Sequence, residues 1–127
     1  MDERKLTSHK VNGLNEAIQI TVMDEPGDGG ASHEYQVLLN SLRHGETGRA
    51  LCRISFQNGP IQEAGFNGLS QEALIAICID RMEGFQSGQF RCRENALALT
   101  KLQEAQMWLQ KRTMDRMKRG VEGTHEK

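Results

Sequence analysis

No stretch of this sequence is long and apolar enough to cross a bilayer, because its hydrophobic runs fall well short of the roughly 20 residues a helical span needs. Cysteine occurs three times, as Cys52, Cys78 and Cys92, too few and too scattered for a disulfide framework or a closed zinc site. The opening residues, MDERKLTSHK, have no apolar core of the signal-peptide kind, so export is not expected and the cytoplasm is the natural compartment. Neither a GxxxxGK[ST] loop nor a GxGxxG turn is present. The four histidines, His9, His33, His44 and His125, fall in termini or loops with no metal-like or triad-like spacing. Cys52 and Cys78 sit at core positions and read as small hydrophobes. Asp80 and Glu83 have the ordinary role of pairing with cations across a hairpin. Binding without turnover therefore fits this inventory better than an enzyme does, and no cofactor is called for.

What is present is an ordinary globular composition, 37% hydrophobic and 26% charged, in 127 residues, a length suited to a single domain. The net charge of −1 hides an uneven distribution. Arg91 to Arg119 carries eight basic and three acidic residues, a net +5 that leaves −6 on the remainder. A general DNA binder is usually basic across the whole domain, since its affinity comes largely from phosphate neutralisation. A local basic patch on an acidic body suits a small anionic ligand or an oligomer contact instead.

Hydrophobic alternation marks strands at Leu14 to Met23 (Ile18, Ile20, Val22), at "EYQVLLNSL" (Tyr35, Val37, Leu39) and at "RALCRISFQ". In the last of these, Ala50, Cys52, Ile54 and Phe56 share one face and Arg53 and Ser55 lie on the other. "DEPGDGGASH" between the first two reads as a flexible loop, and "RHGETG" as a hairpin connection. "NGPIQEAGFNGLSQE" reads as a structured loop. Ser70 is a natural N-cap for a first helix from about Gln71 to Glu83, ended by Gly84, with Leu74, Ile77 or Cys78, and Met82 toward the core. A second helix runs from near Arg91 to Arg119 and stops at Gly120, about 40 Å long at 1.5 Å per residue. The expected fold is α+β: a three- to four-stranded antiparallel sheet with a C-terminal helical hairpin whose second helix is long. Residues 1–12 form a flexible N-terminus, 13–57 the strands, 58–69 a loop, 70–119 the hairpin and 120–127 a tail.

On the second helix, Leu99, Leu102, Ala105 and Leu109 form one apolar seam, with Met107, Trp108 and Met114 partly outside it. The first helix is too short to cover the second, so either a second chain or the sheet takes the remainder. Trp108 reads as packing, at a subunit seam or against the sheet, rather than as a ligand contact. Arg112, Arg116 and Arg119 share one face at i, i+4 and i+7, flanked by Lys111 and Lys118. Arginine forks suit phosphate oxygens, while the helix dipole alone also favours cations there. Asn95 either caps the first turn or contacts a ligand. It is 17 residues from Arg112, about 25 Å along a straight helix. A small ligand using both therefore sits between two chains. Phe85, placed in the connector after the first helix, either staples the hairpin shut or offers a stacking face for a base.

The run from "FQNGPIQEAGF" to "DRMKRGVEG", and above all the block "ENALALTKLQEAQMW", resembles the phage Thoeris anti-defence protein family. "CRENALALTKLQEAQMW" also resembles the helical hairpin this family shares with phage anti-CBASS cyclic-nucleotide sponges. The resemblance implies an oligomer, dimer or hexamer, that sequesters the glycocyclic ADP-ribose isomer (gcADPR) made by bacterial TIR enzymes, in the cytoplasm of an infected host. It performs no chemistry on that signal. For some members the resemblance extends to CBASS cyclic dinucleotides or trinucleotides. Carried onto this sequence, the family's aromatic falls on Phe85 for adenine stacking and its asparagine on Asn95 for the base or ribose. Its arginines fall on Arg112 and Arg116 for the pyrophosphate. Some relatives add an aromatic from the first strand, which is missing here; Arg53 is the candidate substitute, against a solvated surface role. No membrane and no duplex nucleic acid is implied. The rival readings are a small nucleic-acid or protein adaptor using the basic helix end, and a nucleotide hydrolase.

Overall fold

The computed structural model describes residues 4–40 and 48–126, which fall into two compact units. The first, residues 1–58 with 67–69, is a four-stranded sheet, β1 (Arg4–Leu6), β2 (Ile18–Val22), β3 (Glu34–Leu39) and β4 (Arg49–Ser55), in the order β1-β2-β3-β4 with every neighbour antiparallel. The "RHGETG" connection lies almost wholly outside the described residues.

Three features depart from the sequence expectation. The N-terminus is not free: Arg4–Leu6 pairs with Ile20–Val22 as an edge strand. Three residues are too few to show a period, and two cations suit an exposed edge. The strand expected from Leu14 begins at Ile18, because Gly13–Ala17 forms a short helix, α1. Asn12 caps it, its side-chain oxygen accepting the Asn15 N–H at 3.0 Å. The third departure is a bulge between β3 and β4, where Val37 faces Cys52 but Leu38 faces Ala50. The extra residue takes Ala50 out of step with Cys52, so the two do not share a face as strict alternation requires.

The loop expected to be flexible is tied at its neck. The Asp24 carboxylate accepts the backbone N–H groups of His33 and Glu34 at about 3.0 Å, and Ser32 donates to the Asp24 carbonyl at 3.1 Å. The hydrogen bond from Glu34 holds the Asp24 carboxyl below its ordinary range, helped by that from His33 and by the His33 charge and opposed by desolvation. Val22, fully buried, and Ala17 mark the centre of this unit, and Tyr35 meets Phe56 edge to face at 5.7 Å. Leu69 bridges in parallel to Phe56. That approach requires glycine at 68, since a Cβ there would lie 2.4 Å from the Phe56 carbonyl carbon.

The second unit, residues 59–66 and 70–127, holds α2 (Ile61–Ala64), α3 (Gln71–Gln86) and α4 (Arg93–Lys118). Within the stretch read as a loop, Ile61–Ala64 is thus helical. Ser70 caps α3 as expected, accepting the Ala73 N–H at 3.2 Å. Gly84 does not end α3. The helix passes through it and closes at Ser87, whose N–H returns to the Glu83 carbonyl and whose hydroxyl donates to that of Gly84. Only a left-handed φ makes glycine a stop, and Gly84 does not have one. Gly120, at φ 73°, does, and it ends α4 as the sequence indicates.

The two long helices pack on each other along defined stripes. In α3 the inward positions are Ile75, Ile79, Met82 and Gln86, with Ile79 buried and Leu74 half-buried. Ile77 and Cys78, one of which was expected toward the core, are both exposed. In α4 the inward positions are Asn95, Leu99, Leu102, Gln106, Leu109, Thr113 and Arg116, a heptad spacing of fours and threes. Leu99, Leu102 and Leu109 stand where the sequence put them; Gln106 takes the place expected of Ala105, which is exposed.

Candidate functional site

All four residues carried over from the resemblance, Phe85, Asn95, Arg112 and Arg116, lie in the helical hairpin unit. Phe85 is in the last turn of α3 rather than in a connector, because that helix runs past Gly84. Phe85 is 39% exposed, and Arg81, one turn earlier, stands over one face of its ring with its guanidinium carbon 5.5 Å from the centroid. The i, i+4 spacing of Arg81 and Phe85 makes that contact legible in the sequence, where it was missed. Asn95 is half-buried at the head of α4. It is not the cap: Cys92 is, its Sγ accepting the Asn95 backbone N–H at 3.4 Å. The Asn95 side chain is thereby spared for other contacts.

Arg112 and Arg116, four residues apart, have opposite fates. Arg112 is exposed and, among the described residues, its guanidinium has no hydrogen-bond or ion-pair partner. Arg116 is 7% exposed, at the end of the heptad seam, and the residues after Gly120 close around it. Its Nε donates to the Glu122 carboxylate at 3.1 Å, Nη2 donates to the carbonyls of Val121 and Thr124 at 2.9 and 3.1 Å, and Nη1 donates to that of Glu126. Four of its five N–H groups are therefore committed. Gln62 and Glu63 of α2 hold the same tail, Gln62 Nε2 donating to the Glu122 carbonyl and Glu63 pairing with His125 at 3.3 Å. The shared face expected for Arg112 and Arg116 is thus divided by tertiary contacts. Arg53 is exposed on β4 opposite Gln36.

Around Arg112 the outer surface of α4 forms an open concavity of about 520 Å³, lined by Trp108, Lys111, Arg112, Asp115, Arg116 and Arg119. Lys111 donates to Asp115 at 2.7 Å, and this hydrogen bond holds the Asp115 carboxyl below its ordinary range, aided by the Lys111 and Lys118 charges against some desolvation. Nothing in the surroundings supplies a metal: among the described residues no three His, Cys, Asp or Glu side chains gather within reach of one ion. No described helix is long and apolar enough to cross a membrane.

Known proteins supply the context for this hairpin. The family described as "Acb2/Tad1, hairpin domain" matches residues 49–114. The chain belongs to the Acb2/Tad1 hairpin family. It is also similar to "Thoeris anti-defense 1" of Bacillus phage SBSphiJ7, at 58% identity over 77 residues, which make up 61% of this chain and 54% of that protein. The chain spans about half the length of this curated relative. The family match begins with β4, takes in all of α3 and ends within α4, so it covers Phe85, Asn95 and Arg112 and stops two residues before Arg116. The tail that engages Arg116 lies beyond it.

Proposed function

We propose that this member of the Acb2/Tad1 hairpin family is a phage anti-defence sponge. It captures gcADPR, the cyclic ADP-ribose isomer made by Thoeris TIR enzymes, in the host cytoplasm and keeps it from its effector. The observation that carries the reading is the hairpin match, joined to 58% identity with a phage protein named for action against Thoeris. The chemistry of the hairpin supports it. gcADPR has two negative phosphates, one adenine and a closed ring. Phe85 offers a stacking face, Asn95 an uncommitted amide, and Arg112 a free fork for charge-assisted bonds to the pyrophosphate. Arg116 adds its field and its remaining N–H to the same charge. Rigidity in the ligand limits the ordering cost of tight capture, and slow release is what sequestration needs.

The site is shared between chains. α4 is one continuous helix, so Asn95 and Arg112 stand about 25 Å apart along it, beyond the reach of one such ligand. A dimer or hexamer that sets the head of one α4 beside the tail of another joins them. Exposed Leu97, Met107, Met114 and Met117 are apolar surface that such an assembly covers. Cyclic dinucleotides and trinucleotides of CBASS are further ligands of the assembled form.

The test is to incubate the chain with gcADPR, isolate the complex, denature it and weigh what is released by mass spectrometry. Intact ligand is expected. A cleaved product would establish a hydrolase, and no retained ligand, with tight and strongly salt-dependent binding to a generic duplex, would establish an adaptor. Native mass spectrometry with a panel of cyclic nucleotides reads out both the assembly and the ligand range.

A further inference from the structure

Charge pairing in the concavity on α4 leaves more than Arg112 available. Of its cations, Lys111 is neutralised by Asp115 at 2.7 Å and Arg116 by Glu122 at 3.1 Å. Two guanidiniums remain without a side-chain partner among the described residues, those of Arg112 and Arg119. At 100° per residue, Arg119 and Arg112 fall within about 40° of Trp108 around the helix axis, whereas Arg116 is rotated by about 80°, toward the seam. Trp108, Arg112 and Arg119 thus form one outward stripe, with Trp108 58% exposed. Met107 and Met114, candidates for an intersubunit seam, are turned away from that stripe by about 100° or more.

We infer that Arg119 is a further ligand-binding residue, which holds the second negative charge of the nucleotide bound by Arg112, with the Trp108 indole as an aromatic wall beside them. The inference rests on the proposed capture of a cyclic ADP-ribose. Arg112 and Arg119 are about 10 Å apart along the axis, a gap that two long side chains close on a pyrophosphate. Asp115 also faces the concavity, but its bond to Lys111 cancels the repulsion it would otherwise exert on an anion. Glu63 and Glu126 flank Arg119 in a neighbouring concavity of about 590 Å³; Glu63 is held by His125. Arg116 serves as the positioning residue that fixes the tail and so the wall around Arg119.

Trp108 is the only tryptophan in the chain, so its emission reports on this stripe alone. Full-length protein is titrated with gcADPR by calorimetry and by indole fluorescence, alongside Arg119→Ala, Arg119→Lys, Trp108→Phe and Trp108→Ala. Circular dichroism and light scattering check folding and assembly. Expected are a change in indole emission that saturates with the heat, and affinity lowered about 10- to 100-fold in Arg119→Ala. Partial recovery is expected in Arg119→Lys, with a smaller loss in Trp108→Phe than in Trp108→Ala. Normal heat in a folded, assembled Arg119→Ala protein, or indole emission that ignores a ligand whose heat is measured, overturns this inference and leaves the proposed function standing. Absence of heat with the unaltered chain overturns both.

Discussion

The two faces of α4 are built by different rules. The inward face repeats in heptads from Asn95 to Arg116 and is shaped by packing against α3 and the tail. The outward stripe, Trp108, Arg112 and Arg119, is exposed, and among the described residues its side-chain polar groups have no hydrogen-bond or ion-pair partner. Arg116 and Arg112 belong to the same residue type and the same cluster, separated by a single turn. One is a structural ion whose hydrogen bonds are nearly all satisfied, and the other is exposed, with no side-chain partner among the described residues. Neighbouring side chains on one helix therefore divide between committed and uncommitted by which face they occupy.

That contrast can be broken most severely at Arg116. Arg116→Ala leaves Glu122 without its cation and takes the donor from the Thr124 and Glu126 carbonyls, while that of Val121 keeps the Thr124 N–H and hydroxyl. The expected cost is about 3 kcal/mol of stability, seen as an earlier unfolding transition in urea or on heating. A variant as stable as the parent would show that the tail does not depend on this contact. Arg112→Ala is the mirror experiment: the unfolding transition stays put, and affinity for gcADPR falls about 10- to 100-fold by calorimetry, the loss of a charge-assisted contact. Unchanged affinity in a folded, assembled Arg112→Ala protein removes Arg112 from the site. Gln106→Leu sharpens the inward face. Replacing the half-buried amide in the seam with the residue the heptad favours is expected to add about 1 kcal/mol in a urea titration.

The smallest effect lies on the outward face and is set by pH. The Lys111 hydrogen bond lowers the Asp115 carboxyl, so whatever this pair contributes is present above the ordinary carboxylate pKa and is lost as pH falls through the lowered one. A carboxyl NMR titration is expected to place Asp115 below the ordinary range, and Lys111→Ala to return it upward. An unmoved midpoint in that variant would mean that Lys111 is not the cause and that its charge is free in the concavity.

Much of this was legible before folding. Alternation of Ile18, Ile20 and Val22 located β2, Ser70 announced α3, and Gly120 announced the end of α4. The leucines of the α4 seam carry their own period. Less visible were features that depend on groups outside the element itself. β1 is a strand because Ile20–Val22 offers it an edge, the β3–β4 bulge arises only in the pairing, and Gly84 stays helical because Ser87 closes the turn beyond it. Among the candidate site residues, the resemblance marked Phe85, Asn95, Arg112 and Arg116, but spacing alone set Arg112 and Arg116 side by side as equals.

Residue order by itself determined the three longer strands, the helical hairpin with its long basic-ended second helix and the family, since periodicity, caps and charge are local and additive. Only the tertiary structure decided which of the basic side chains are spent and which are free. A guanidinium is satisfied by acceptors that the fold delivers, and for Arg116 those acceptors come from a tail that turns back at Gly120.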